Sequence, residues 1–162
     1  MRSRHPHIFL KDSSIKSIED VNNFWELQKK NERKSKGANS ILDGVSISLP
    51  AVTRSLKLQK RAAKEGFDWK KPEDTLKKVK EELNELTFEM KANNKKKIRE
   101  ELGDLLFSCI NLSRKLGIDT ETVIRESNRK FEKRFKKMEK KMNKKSLKWE
   151  LKNLEKEWQN SK

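Results

Sequence analysis

The sequence has little of what disulfide-linked, membrane-spanning or loop-rich proteins require. Cys109 is the single cysteine, so no disulfide can form within one chain, and its apolar neighbours predict that it is buried. No segment approaches the roughly 18 apolar residues of a membrane span. The five glycines and three prolines lie mainly where helices would start or stop. We therefore expect a soluble, cytoplasmic, largely helical protein without membrane contact.

Acidic side chains are scarce relative to basic ones. The 162 residues, enough for one domain, include 41 Lys and Arg against 25 Asp and Glu, a formal net charge of +16. This charge favours a negatively charged partner or substrate, and nucleic acid, a membrane surface and phosphorylated small molecules all qualify. Only ten of the basic residues are arginine, which argues against sequence-specific DNA reading and leaves weak, non-specific binding to nucleic acid open.

Apolar side chains recur at spacings of three and four over most of the chain, which predicts an all-α protein. The predicted helical segments cover 18–36, 50–66, 73–91, 96–115, 120–143 and 146–159. Pro50 favours the first turn of its helix, and Gly66 can close that helix in a left-handed cap. Gly117 ends a later helix, and Asp119 is a good N-cap for the next one.

The short connections between the three longest helices favour antiparallel neighbours, and thus an antiparallel helical bundle. Two of these helices carry narrow apolar stripes. The stripes consist of Leu76, Val79, Leu83, Leu86 and Met90, and of Ile98, Leu102, Leu105, Cys109 and Leu116 widened by Leu106 and Ile110. Because such narrow stripes favour a second copy of the chain to complete their burial, we expect a homodimer.

A second row of side chains lies about 100° around each of these two helices from its apolar stripe. The rows are Lys78, Glu82, Glu85 and Glu89 on the first helix, and Lys97, Glu101, Asp104 and Ser108 on the second. Antiparallel packing would bring four carboxylates together beside the core, where they repel each other unless protons or a cation neutralise them. Oxygen ligands without histidine or cysteine suit Mg²⁺ or Mn²⁺, so the pattern predicts a metal site for phosphate chemistry.

A single EExxE motif on a lysine-rich helix is more often a solvated face with salt bridges along the helix. Two observations favour a metal site here. The second acidic pair lies at matching phase on the adjoining helix, and Gly103 costs about 1 kcal/mol relative to alanine inside a helix, which suggests that another group approaches closely. Packing alone would also explain this glycine.

The sequences KVKEELNEL, EELGDLLFSCINLSRKLGID and NRKFEKRF together resemble the MazG family of nucleoside triphosphate pyrophosphohydrolases, whose signature is EExxE followed by ExxD. RHPHIF, SLPAVTRSLKLQKRAAKEGFDW and LEKEW extend the resemblance to the C-terminal half of the long bacterial members. It implies an all-α, dimeric enzyme that hydrolyses NTPs or dNTPs to the monophosphate and pyrophosphate with Mg²⁺. It also implies an N-terminal helical or irregular segment, 1–48, and a catalytic helical domain, 49–162.

The resemblance assigns roles to individual residues. By motif, Glu82 and Glu85 match the metal-binding positions of EExxE, and Glu101 and Asp104 match those of ExxD, so that all four would act in catalysis through the metal. The residues expected to bind the nucleotide are Lys29, Lys78, Lys97, Lys130, Arg134 and Trp158. Trp158 would stack on a base of any identity.

Three points stay open in the sequence. Glu81 and Glu100 are candidates for the general base, and neither is preferred. Nothing resembles a pocket that reads a base by hydrogen bonds, so we expect a broad base preference. A non-catalytic basic module that binds nucleic acid or a protein, or a related all-α pyrophosphohydrolase acting on dUTP or phosphoribosyl-ATP, are the alternative functions.

Overall fold

A computed structural model of the protein describes residues 39–161. They form five helices, which are α1 Ala51–Lys64, α2 Pro72–Lys91, α3 Lys95–Lys115, α4 Thr120–Lys144 and α5 Leu151–Gln159. This part of the chain contains no strand, so the predicted all-α fold is confirmed for it. The predicted helix at 18–36 and the candidate Lys29 lie outside the described residues. None of the five helices has the length and apolar character needed to cross a membrane.

Local signals in the sequence account for the helix ends. Pro50 is the N-cap of α1, one position before the helix that it was predicted to open. Gly66 has a φ of +89°, and the amide of Phe67 donates to the carbonyl of Ala62 at 3.1 Å, which closes α1 in a left-handed cap. Asp119 caps α4, since its carboxylate accepts a 2.9 Å hydrogen bond from the amide of Thr122.

Helices α2 and α3 form the most extensive contact of the described chain, and α1 packs against α3. The turn between α2 and α3 is tight: Asn93 has a φ of +52°, and the side chain of Asn94 caps α3. The two acidic motifs therefore lie on antiparallel neighbours. The later turns of α4 pack instead against α5, where Met138 and Met142 are buried.

Much of the apolar stripes of α2 and α3 stays exposed in the part of the chain that the structure describes. Leu83, Leu102 and Leu106 are 49%, 46% and 58% exposed, respectively. Cys109, which we predicted to be buried, is exposed as well. The prediction was wrong because the buried surface of these helices is the neighbouring, more polar face. Glu82 and Ser108 lie on that face and are buried, and Leu86 is a stripe residue that is buried as well.

Candidate active site

Three of the predicted metal ligands meet between α2 and α3. Glu82, Glu85 and Glu101 each offer a carboxylate oxygen, and these oxygens all lie within 4.8 Å of one another. A spacing of three residues puts Glu82 and Glu85 on one face of α2, and the antiparallel α3 brings Glu101 opposite them. Glu82 is buried, Glu101 is half-buried and Glu85 is exposed, so the group opens to solvent on one side. We call these three residues the acidic cluster.

Asp104 is not a member of the acidic cluster. It follows Glu101 by one turn of α3 and lines a neighbouring cavity together with Glu82 and Lys78. Its charge still acts on the cluster, because it contributes to the raised pKa of Glu101. The fourth predicted ligand is thus adjacent to the other three, on the side of that cavity.

The electrostatics of the acidic cluster favour a bound cation. Partial burial and then the charge of Glu85 raise the pKa of Glu101, while Lys97 lowers it. A cavity of about 440 Å³ adjoins the cluster and is lined by Glu85, Glu89 and Glu101 with Asn84 and Phe88. Carboxylate oxygens are the ligands that Mg²⁺ and Mn²⁺ prefer, so the residues present fit such an ion.

Two of the candidate phosphate-binding lysines already pair with carboxylates. The Lys78 ammonium lies 2.8 Å from Glu81 and 2.7 Å from Glu82, and the hydrogen bond to Glu81 and then that to Glu82 raise the pKa of Lys78. Lys97 pairs with Glu100 at 3.0 Å, which lowers the pKa of that carboxyl. Both candidates for the general base, Glu81 and Glu100, therefore form ion pairs with lysine.

The remaining candidates lie on α4 and α5. The guanidinium carbon of Arg134 lies 3.9 Å from the ring centroid of Trp158, and its Nη2 donates to the Trp158 carbonyl at 2.8 Å. The ring of Phe131 lies 5.4 Å from that of Trp158. Lys130 is exposed one turn before Arg134. The Arg134 guanidinium therefore occupies one face of the Trp158 indole, which we expected to stack on a base. The sequence did not predict this contact, because the two residues are far apart in the chain.

A second cavity, which sequence analysis did not find, adjoins the acidic cluster. Its volume is about 420 Å³. It is lined by apolar side chains of α1, of α3 and of the connection between α1 and α2, and also by Glu82 and Asp104. We call it the apolar cavity. The aromatic residues Phe67 and Trp69 of the GFDW stretch line it. The sequence offers these two aromatic residues directly after a helix end as its only hint, since their exposure is visible in the structure alone.

The connection that carries these aromatic side chains is fixed to α3. Arg114 binds Asp68 through two hydrogen bonds of 2.6 and 3.1 Å, and Lys115 donates to the same carboxylate at 3.2 Å. Lys115 also donates to the carbonyl of Trp69 at 2.6 Å. The hydrogen bond from Arg114 is the main reason why the pKa of Asp68 lies below its ordinary value.

Known proteins are similar to most of this chain. Residues 70–139 match the MazG nucleotide pyrophosphohydrolase domain. The nucleoside triphosphate pyrophosphohydrolase of Escherichia coli (strain K12) is 39% identical over 135 residues, which are 82% of this chain and 51% of that protein. The nucleoside triphosphate pyrophosphohydrolase/pyrophosphatase MazG of Thermotoga maritima is 39% identical over 131 residues, which are 79% of this chain and 47% of that protein.

The chain spans about half the length of these two relatives. The matched domain contains the whole acidic cluster, because Glu82, Glu85 and Glu101 all lie between residues 70 and 139. The predicted resemblance to the MazG family is therefore confirmed: residues 70–139 of the chain match the MazG nucleotide pyrophosphohydrolase domain.

Proposed function

We propose that the protein hydrolyses nucleoside triphosphates to the monophosphate and pyrophosphate. The observation that carries this proposal is the acidic cluster, in which two antiparallel helices bring three carboxylates within 4.8 Å. The cluster lies in the segment that matches the MazG domain, and the relatives from E. coli and T. maritima are named for this activity. The substrates are NTPs or dNTPs. A broad base preference and a cytoplasmic location stay predictions.

The cofactor of the proposed reaction is Mg²⁺, with Mn²⁺ as a substitute. Glu82, Glu85 and Glu101 would hold it, and Asp104 is the adjacent fourth carboxylate. When bound, the ion supplies charge neutralisation and Lewis acidity toward phosphoryl oxygens. The ion pair between Lys78 and the buried Glu82 keeps an ammonium group beside the cluster.

The basic residues of the chain act on the triphosphate. Hydrolysis at the α-phosphorus breaks the bond to the bridging oxygen, and negative charge grows on the departing pyrophosphate. Lys78 and Lys97 stand on the two helices of the cluster and can neutralise that charge by leaving their carboxylate partners. A carboxylate near the cluster takes the proton of the attacking water. Lys29, Lys130, Arg134 and Trp158 complete our proposed set of nucleotide-binding residues.

We also propose that the enzyme is a homodimer. The exposed leucines of α2 and α3 form an apolar surface that residues 39–161 leave open, and a second copy would cover it. The N-terminal segment 1–48 and the catalytic domain 49–162 remain our proposed division of the chain.

Release of pyrophosphate tests the activity directly. ATP and dGTP are incubated with Mg²⁺ and the protein, and we expect pyrophosphate as the product. Glu101→Gln and Glu82→Gln should each lower kcat at least about a hundredfold, because they remove charge from the ion site. The matched control is Glu73→Gln, an exposed position in the first turn of α2, which should leave kcat unchanged.

Two results would contradict the proposal. Release of single phosphate instead of pyrophosphate would exclude this reaction. Absence of hydrolysis, with RNA binding that weakens steeply with salt and persists in Glu101→Gln, would favour the basic nucleic-acid-binding alternative that the charge of +16 suggests.

A further inference from the structure

The two cavities beside the acidic cluster differ in chemistry. The first is lined by Glu85, Glu89 and Glu101, whose charges repel an uncompensated phosphate. The apolar cavity is lined mainly by Leu58, Phe67, Trp69 and Phe107 and by neighbouring apolar side chains. Phe67 is 79% exposed, which is unusual for a phenylalanine. A ligand in the cavity would reduce that exposure. Of these two cavities, only the apolar cavity suits the flat, uncharged part of a nucleotide. The ring of Trp158, the other candidate for contact with a base, already has one face covered by Arg134.

Gln59 gives this cavity a fixed polar group. The residue lines the cavity and is only 7% exposed, and its Nε2 atom donates to the carbonyl of Phe107 at 2.9 Å. Its Oε1 atom is buried and accepts no hydrogen bond from the part of the chain that the structure describes. A buried amide oxygen in that state is stabilised by a donor from a ligand.

Asn111 supplies the complementary group. It also lines the cavity, and it follows Phe107 by one turn of α3, which places it within about one helical pitch of the Gln59 amide. The Nε atom of Arg114 donates to Asn111 Oδ1 at 2.9 Å. Since Oδ1 accepts from Arg114, Nδ2 is the side-chain atom of Asn111 that can donate to a ligand. The cavity therefore combines an acceptor on Gln59 with a donor on Asn111.

From these contacts we propose that the apolar cavity holds the nucleobase, with Gln59 Oε1 accepting from a base N–H and Asn111 Nδ2 donating to the acceptor next to it. The proposal rests on the proposed function, because it places the triphosphate at the acidic cluster. Every common base carries an N–H beside an acceptor on its pairing edge: N6 and N1 of adenine, N4 and N3 of cytosine, N1 and O6 of guanine, N3 and O4 of uracil. Gln59 and Asn111 thus read a feature that all four share. A pocket that reads only this shared feature accepts all four bases and rejects bases that lack the N–H.

Paired substrates that differ in one group test this inference. Purine riboside 5′-triphosphate lacks the 6-amino group of ATP, and 3-methyluridine 5′-triphosphate lacks the N3–H of UTP. For the unmodified chain we expect kcat/KM about tenfold lower for each analogue than for its parent, with the loss mainly in KM. Gln59→Met keeps the size of the side chain and removes the acceptor. In this variant the kcat/KM of each parent divided by that of its analogue should fall to within about twofold of one.

Asn111→Asp tests the other half of the pair. It preserves the oxygen that Arg114 binds and replaces the Nδ2 donor with an acceptor, so ATP and UTP should both lose about tenfold in kcat/KM. The matched control is Gln159→Met on α5, an exposed glutamine outside both cavities, which should leave every ratio unchanged. Urea unfolding midpoints of all variants separate lost recognition from lost stability.

Binding gives a readout that does not need turnover. The affinity of α,β-methylene-ATP, measured by calorimetry, should fall about tenfold in Gln59→Met and not in Gln159→Met. Equal kcat/KM for each analogue and its parent in the unmodified chain would overturn the base subsite and leave pyrophosphohydrolase activity standing. Failure of all four substrates to release pyrophosphate would overturn the proposed function. The calorimetry would then be the test of the base subsite, and an unchanged affinity for α,β-methylene-ATP in Gln59→Met would overturn that subsite.

Discussion

At the scale of single residues, the structure separates the four predicted metal ligands into three and one. Glu82, Glu85 and Glu101 converge, whereas Asp104 lines the apolar cavity beside them. Helical phase was sufficient to select all four, because a spacing of three or four fixes a common face. Phase does not fix how far one helix is displaced along its neighbour, and that displacement decides which carboxylates meet.

The unequal positions of these carboxylates predict unequal effects on metal affinity. Glu101→Gln should weaken binding of Mn²⁺ by about tenfold or more, since it removes a charge from the centre of the cluster. Asp104→Asn should weaken it less, because that side chain lies outside the group of three. Calorimetric titration of each variant with Mn²⁺ measures the difference. An equal loss in both variants would show that Asp104 moves into the cluster when the ion binds.

At the scale of elements, two long-range side-chain networks hold the short segments in place. Arg134 fixes α5 on α4 through the Trp158 ring and carbonyl, and Lys145 reaches the buried Glu157 at 2.6 Å. Asp68 fixes the GFDW connection on α3. The sequence predicted the starts and ends of α2, α3 and α4 within one residue, because local signals such as Gly117 and Asp119 act on their own neighbours. Networks between residues 24 or 46 positions apart have no such local signal.

The Arg134 contacts predict a measurable contribution to stability. Arg134→Gln should lower the free energy of unfolding by about 1–2 kcal/mol, because it removes the cation–π contact and the hydrogen bonds to the Trp158 carbonyl. Urea denaturation followed by tryptophan fluorescence gives the value. Arg129→Gln, an exposed arginine on the same helix, is the control and should change stability by less than about 0.5 kcal/mol. Similar losses in both variants would contradict a specific role for Arg134.

The Asp68 network predicts a dependence of stability on pH. Because the pKa of Asp68 is lower in the folded protein than in the unfolded chain, its contribution is present at neutral pH. That contribution is lost as the pH falls below about 4, where the unfolded carboxyl binds a proton more readily. Asp68→Asn should therefore cost about 1–3 kcal/mol at pH 7 and progressively less at acid pH.

Unfolding free energies of Asp68→Asn and of the unmodified chain, measured from pH 7 to pH 3, test this dependence. Asp74→Asn is the control, since among the described residues its carboxylate pairs only with Lys77 of its own helix. A difference between Asp68→Asn and the unmodified chain that stays constant with pH would exclude the proposed linkage.

At the scale of the whole molecule, the apolar stripes explain both the success and the failure of the sequence analysis. The stripes correctly predicted helices, since periodicity depends only on local geometry, and the short connections predicted their antiparallel arrangement. The narrowness of the stripes predicted incomplete burial within one chain, in agreement with the half-exposed Leu83, Leu102 and Leu106, whereas the predicted burial of Cys109 was wrong. An apolar side chain fits an interior or an association surface equally well, and sequence pattern does not distinguish the two.

The oligomeric state in solution tests whether the exposed stripes form an association surface. Light scattering should give a mass near twice the 19.2 kDa of the chain. Leu106→Glu should shift the protein toward the single-chain mass, because it places a charge in the apolar surface. Ile47→Glu, at a position that is 87% exposed, is the control and should leave the mass unchanged. A single-chain mass for the unmodified protein at all concentrations would overturn the proposed homodimer.

The exposed thiol of Cys109 has a practical consequence. It is the chain's single cysteine, and it follows Glu101 by eight residues, or about 12 Å along α3. A nitroxide attached there requires no prior mutagenesis. Mn²⁺ held at the acidic cluster should broaden its resonance by paramagnetic relaxation. Because Cys109 belongs to the apolar stripe that a second copy would cover, its thiol should react with the label more slowly in the homodimer than in a single chain. The same side chain can therefore report ion occupancy when labelled and assembly through its rate of labelling.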